Sequence, residues 1–147
     1  KPDYQRLVSF NTTDGQSGLD VEVKVDYPQV GGIETVSRKF PLNSPEDMID
    51  LFESRPLGKP KWLGLFLKIA SKHGWPHYDR ILWPSKDTNP EDVLHEIALH
   101  RMFDFLGAMA VIPDAGTYPL GTLFSERGNH ASDVELIKAI KQSLDGK

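Results

Sequence analysis

Four side chains able to hold a metal or move a proton lie close together in the run HEIALHRMFD, from His95 to Asp104. At ~3.6 residues per turn, Glu96, His100 and Asp104 are spaced by fours and share one helical stripe, whereas His95 sits well around the cylinder from His100. The pair that could act together is therefore His100 with Asp104. The run is not the H-E-x-x-H pattern of zinc proteases, because its second histidine comes one residue too late to share a face with the first. A further group, His130, stands in Gly128-Asn129-His130 just before a helix start. That position predicts a loop residue at the positive end of a helix, where a neutral imidazole or a bound anion is favoured. His100 and Asp104 would supply two metal ligands, and His130 one acid/base group. A zinc site needs a third protein ligand. The competing reading of the Glu96, His100 and Asp104 stripe is a solvated helix face.

The elements that must position these groups are bounded first by composition. A chain of 147 residues, 39% apolar and 26% charged, fits one compact domain with a real core. Seventeen basic against 21 acidic residues leave a net charge of −4. The basic residues are scattered rather than massed, so nucleic acid is excluded as an expected partner. Without cysteine there is neither a disulfide framework nor a thiolate site, so any metal falls to histidine and carboxylate. The longest apolar stretch, Trp62 to Ala70, is about half a membrane span, and no signal peptide is read. The start at Lys1-Pro2 rather than Met suggests a processed product or an excised segment.

Alternation from Leu19 to Tyr27 predicts a half-buried antiparallel strand. Gln5–Thr13 before it and Ile33–Phe40 after it complete an expected three-stranded meander, with Asp14-Gly15 as turn chemistry. Ser44-Pro45-Glu46-Asp47 starts a helix to about Ser54, with a serine cap, proline in the first turn and acids at the positive end. A short apolar helix, Trp62–Lys72, ends at Gly74 and Pro76, and Tyr78–Trp83 reads as a strand. Asn89-Pro90 starts the long helix carrying His100, which runs to about Ile112 before Pro113. Tyr118–Phe124 is a last strand, and the capping box Ser132-x-x-Glu135 begins a final helix, Asp133–Leu144. This order predicts an α+β two-layer sandwich, with helices on one face of a mostly antiparallel sheet.

HEIALHRMFDFLGAMAVIP, followed after a strand by RGNHASDVELIKAI, resembles the C-terminal domain of the zinc-dependent UDP-3-O-acyl-N-acetylglucosamine deacetylase family of lipid A biosynthesis, the LpxC family. That family carries His-Lys-x-x-x-Asp in a long helix and Gly-His-x-x-Asn before its last helix. Upstream, GLDVEVKVDYP resembles its first strand in this domain, FESRPLGK falls on an Arg-Thr-Phe-Gly segment, and KHGWPHYDRILW falls on the strand after an apolar insert. The likeness spans nearly the whole chain but only the second half of the usual enzyme.

The resemblance implies a cytoplasmic zinc amidohydrolase that removes the acetyl group of a UDP-linked acylated glucosamine. His100 and Asp104 match two zinc ligands, and His130 matches the catalytic histidine that stabilises the developing oxyanion or protonates the leaving amine. Arg101 stands where the family has a substrate-contacting lysine; the charge is kept, but an arginine fork is not a compact ammonium. Pro56 replaces a threonine whose hydroxyl serves the site, and Ala108 replaces the aspartate that orients the catalytic histidine. The third zinc histidine and the water-activating glutamate belong to the family's N-terminal domain. The chain alone is thus expected to be inactive, with a missing N-terminal domain or a second copy as partner. The alternative is a non-catalytic binding or regulatory module that has lost the deacetylase activity. The apolar helix reads either as core cover or, by resemblance, as the wall of an acyl-chain passage. Glu96 reads either as a group supporting the site from behind His100 or as solvated, and Arg55, Lys59 and Lys61 either as meeting a diphosphate or as solvated, with solvation favoured for all four. His73 and His77 read as surface residues.

Overall fold

The computed structural model describes residues 7–11, 18–28, 30–42, 44–58, 65, 68–69, 72, 81–82, 87–109, 121–128 and 130–145. Strand β2 (Leu19–Tyr27) buries Leu19, Val21, Val23 and Val25 and leaves the residues between them half-buried. That is the period-two pattern of a strand with one face on the core. Beside it runs β3 (Gly32–Phe40), antiparallel and in register from Leu19↔Phe40 to Tyr27↔Gly32. Helix α1 (Pro45–Glu53) begins as its cap dictates: Ser44 Oγ accepts from the Asp47 amide at 3.2 Å. The same hydroxyl donates to Glu46 at 2.7 Å and holds that carboxyl below its ordinary pKa. Helix α2 (Pro90–Met109) starts with Asn89 Oδ1 accepting from the Glu91 amide at 3.2 Å and with Glu91 and Asp92 in its first turn.

The sheet is not a simple meander. Strand β1 (Leu7–Asn11) and strand β4 (Gly121–Glu126) pair antiparallel, and β4 also pairs parallel with β2, so the order is β1-β4-β2-β3. The expected β1–β2 pairing is corrected on this point. Residues 12–17 are too many for the two-residue turn that would enforce a hairpin, and β4 has its own buried row of Gly121, Leu123 and Ser125. Placing β4 inside gives β2 partners on both edges. The helices between them supply the crossover a parallel pair requires. Glycine permits the insertion: a Cβ at Gly121 would lie 2.4 Å from the Asn11 carbonyl oxygen and 2.9 Å from the Phe10 ring, and its φ is +155°.

Helix α3 (His130–Asp145) follows β4. The core joins the inward residues of β2, β3 and β4 to Val93, Ile97, Met102, Phe105 and Met109 of α2 and Ile137 of α3. Helices thus pack against a mostly antiparallel sheet, which is the expected α+β class. Among the described residues no helix is long and apolar enough to cross a membrane.

Boundaries differ from expectation in two places. The last helix starts three residues before Asp133, so Ser132 lies inside its first turn rather than at its cap. Asparagine is the residue before that start, and it is as good a capping type as serine. The last strand runs on to Glu126, two residues past its expected end at Phe124, while residues 118–120 lie outside the described residues. Of the expected apolar helix, Leu65, Lys68 and Ile69 are helical, with Leu65 and Ile69 exposed rather than covering the core. Lys72, at the expected end of that helix, is in a turn and exposed; the rest of that helix, most of Tyr78–Trp83, Lys59, Lys61, His73, His77 and Ile112 lie outside the described residues.

Candidate metal centre

His100 and Asp104 project from α2 one turn apart, both about three-quarters buried, with His100 Nε2 at 3.6 Å from Asp104 Oδ1. The other ring nitrogen, Nδ1, lies 3.0 Å from the Ser54 carbonyl oxygen at the end of α1. A carbonyl only accepts, so Nδ1 carries the hydrogen. In the neutral imidazole Nε2 is then the nitrogen with a lone pair, turned toward the carboxylate. A histidine tied by its second nitrogen to a backbone carbonyl is the usual arrangement of a metal-ligating imidazole.

The separation also fits. Two ligand atoms ~2.0–2.2 Å from a tetrahedral zinc lie about 3.3–3.6 Å apart. An imidazole nitrogen with a carboxylate oxygen is a donor set that zinc accepts. The set is half a site: among the described residues no group of three or more histidine, aspartate or glutamate side chains converges on one point.

What holds the Ser54 carbonyl in place is Glu96. Its Oε1 accepts from the Arg55 amide at 3.0 Å and from Arg55 Nε at 2.6 Å, and its Oε2 accepts from Arg55 Nη2 at 3.1 Å. The carboxylate thus clamps the backbone of the residue next to Ser54 onto the same helix stripe that carries His100. On its other side the segment is pinned by Leu82, whose amide donates to the Pro56 carbonyl at 2.9 Å and whose carbonyl accepts from the Gly58 amide at 2.9 Å. Glu96 and Arg55, read as solvated in the sequence, are each other's partners.

Arg101 turns away from this stripe. Its guanidinium forks onto both carboxylate oxygens of Asp133 in α3, with Nη1 to Oδ2 at 2.6 Å and Nη2 to Oδ1. Its Nε donates to the Gly128 carbonyl at 3.1 Å, and the group lies 5.7 Å over the Phe105 ring. Asp133 is wholly buried and the arginine side chain is 12% exposed. Arg101, expected to meet substrate, is instead engaged in joining α2 to the start of α3. An arginine fork suits this bidentate, half-stacked role.

No protein-family model and no curated protein matches the chain. The candidate site therefore rests on its own geometry.

His130 is the first residue of α3 rather than a loop residue, at the positive end of the helix as expected. It is bracketed in sequence by Gly128 and Asp133, the two residues that Arg101 grips. His95 is on another face, half-exposed, 3.4 Å from Glu34. Pro56 is exposed and Ala108 half-buried beside the core. Next to the ligand pair lies an apolar rim: the exposed Phe52 of α1 meets Phe103 edge-on at 5.5 Å, and Phe103 is 6.3 Å from the His100 ring.

Two contributors escaped the sequence. Ser54 acts through its carbonyl, which no residue type signals. Asp133 was hidden because the capping-box reading made it only the first residue of the last helix and gave it no partner.

Because Glu96 acts on His100 only through the Arg55 backbone, Glu96→Gln is expected to loosen the ligand rather than remove it. Zinc affinity of the chain should fall by roughly 10-fold, the lower end of the effect of removing an orienting partner. Calorimetric titration of zinc into both proteins measures this; equal affinities would separate Glu96 from the site.

Proposed function

We propose that this chain is the second, C-terminal-type half of a zinc amidohydrolase resembling the UDP-3-O-acyl-N-acetylglucosamine deacetylases. The observation that carries this reading is the His100 imidazole, anchored by Nδ1 to the Ser54 carbonyl with Nε2 held 3.6 Å from Asp104. In such an enzyme His100 and Asp104 hold the zinc, with the remaining ligand and the water-activating carboxylate contributed from another domain or polypeptide. Bound zinc supplies Lewis acidity and an activated water at neutral pH.

What this chain's own residues add is position. Ser54 fixes the imidazole tautomer, Glu96 fixes Ser54, and Arg101 with Asp133 ties α2 to the first turn of α3, the helix that His130 begins. His130, the first residue of α3, would offer a ring N–H to negative charge forming on the amide oxygen or, once protonated, pass that proton to the leaving amine. Exposed Phe52 and Phe103 offer apolar surface beside the reacting centre, suited to an acylated sugar.

A second reading is a non-catalytic module of the same ancestry. Three observations favour it: Pro56 has no hydroxyl, Ala108 has no carboxylate to orient His130, and Arg101 is engaged with Asp133. The two readings part on acetate release from a UDP-linked 3-O-acyl-N-acetylglucosamine by the complete polypeptide carrying these residues, with zinc present. The enzyme reading expects release that drops by roughly 10²–10⁴-fold in His130→Ala, the usual worth of a positioned acid/base group. Zinc bound with no release at all would favour the module.

A further inference from the structure

The sheet ends on β3, whose outer edge has no partner strand among the described residues. Its nine residues run unbroken beside β2, without a bulge or a proline. Such an edge presents a row of backbone donors and acceptors that another strand can take.

The helix-facing side of β3 carries two charges, Glu34 and Arg38, on either side of buried Val36. Glu34 is loosely held within its own chain, whereas Arg38 also donates Nη1 to the Ser37 carbonyl at 3.0 Å. Glu34 Oε1 is 3.4 Å from His95 Nδ1. Arg38 Nε is 3.1 Å from Asp47 Oδ1 but off the line of a hydrogen bond, so this buried nitrogen stays unsatisfied. Inward charges of this kind repel most strands that could add to an edge. They do not repel a second β3.

Laid antiparallel on itself about Val36, the strand GIETVSRKF sets Glu34 opposite Arg38 and Arg38 opposite Glu34. Val36 then meets Val36, Thr35 meets Ser37, and Ile33 meets Lys39. Directly opposed charges of unlike sign stabilise a strand pair and like charges destabilise it. A two-fold axis makes both favourable pairs at once. On the open face, Ile33, more than half exposed, comes under the aliphatic stem of the partner's lysine. We propose that β3 is a self-association edge, through which two copies of this chain pair antiparallel about Val36 and join their four-stranded sheets into one.

Sedimentation of the full chain and two charge reversals tests this. The wild type is expected to dimerise with increasing concentration. Glu34→Arg sets arginine against arginine and Arg38→Glu sets acid against acid, so each variant alone should associate at least ~10-fold more weakly. In an equimolar mixture of the two variants every charged pair is again of unlike sign, and a heterodimer forms. Circular dichroism checks that both variants fold. Amide hydrogen exchange on the wild type gives an independent readout, with β3 protected at high concentration and losing protection on dilution. A wild type that is monomeric at every concentration, a dimer indifferent to both reversals, or a mixture no tighter than its components would overturn the proposal.

Discussion

Arg101→Ala is expected to destabilise the protein by about 3–5 kcal/mol, the cost of leaving one member of a buried ion pair without the other. The group left behind is the Asp133 carboxylate, wholly enclosed and otherwise facing the core side of α3. The Gly128 carbonyl loses its donor in the same substitution. Denaturant unfolding followed by circular dichroism measures the loss, and the slope of the transition shows whether the native state has loosened. Replacing both partners by apolar residues, Arg101→Met with Asp133→Leu, should recover most of the stability, because no uncompensated charge remains. A loss under 1 kcal/mol for Arg101→Ala would mean that the pair is solvated and does not fix the start of α3. Arg101→Lys separates charge from geometry: it keeps the cation but gives up the fork, and should fall between wild type and alanine.

The second large effect lies one turn along α2. Phe105 is fully buried at the centre of the core and forms the floor beneath the Arg101 guanidinium. Phe105→Ala is expected to cost about 3–5 kcal/mol through lost burial and the cavity left behind. For a chain of this size that is a fall in Tm of roughly 8–15 °C. Phe105→Leu keeps most of the volume and should cost far less. Because Arg101 and Phe105 touch, the double mutant Arg101→Ala/Phe105→Ala should lose less than the sum of the two single changes. Strict additivity would show that the stacked contact has no energetic consequence.

Much of the fold is legible in the residues because it is decided locally. The alternation of Leu19 to Tyr27 and the caps at Ser44 and Asn89 mark elements whose start residues depend only on near neighbours. Strand order is not local. β4 enters between β1 and β2 because Gly121 allows its backbone against Asn11 and Phe10, a contact between residues far apart in the chain. The same distinction governs the site. Helical spacing places His100 and Asp104 on one stripe, and their mutual distance follows from that spacing. The partners of the remaining polar groups do not follow. Glu96 meets Arg55 across 41 residues, and Arg101 meets Asp133 across 32. Periodicity identifies the face of a helix but not what packs opposite it, which is why it does not pair Glu96 with Arg55; the substrate-contact expectation for Arg101 comes from the resemblance, which carries no account of Asp133. Ser54 is a harder case still, since a backbone carbonyl bonded to an imidazole leaves no trace in residue type.

The central claim is that His100 is a metal ligand through Nε2, with Nδ1 tied to Ser54 and Asp104 beside it. Long-range ¹H–¹⁵N correlation spectra of the histidine rings, recorded during a zinc titration, test it most directly. The expected result is a His100 ring protonated at Nδ1, whose Nε2 resonance alone shifts on adding zinc, with the shift weakened in Asp104→Asn. Binding should be weak, because two ligands make only half a site. A His100 ring protonated at Nε2, or an Nε2 resonance unmoved by zinc while other histidines respond, would contradict the metal reading and leave the stripe as a polar contact that packs α2 against the end of α1.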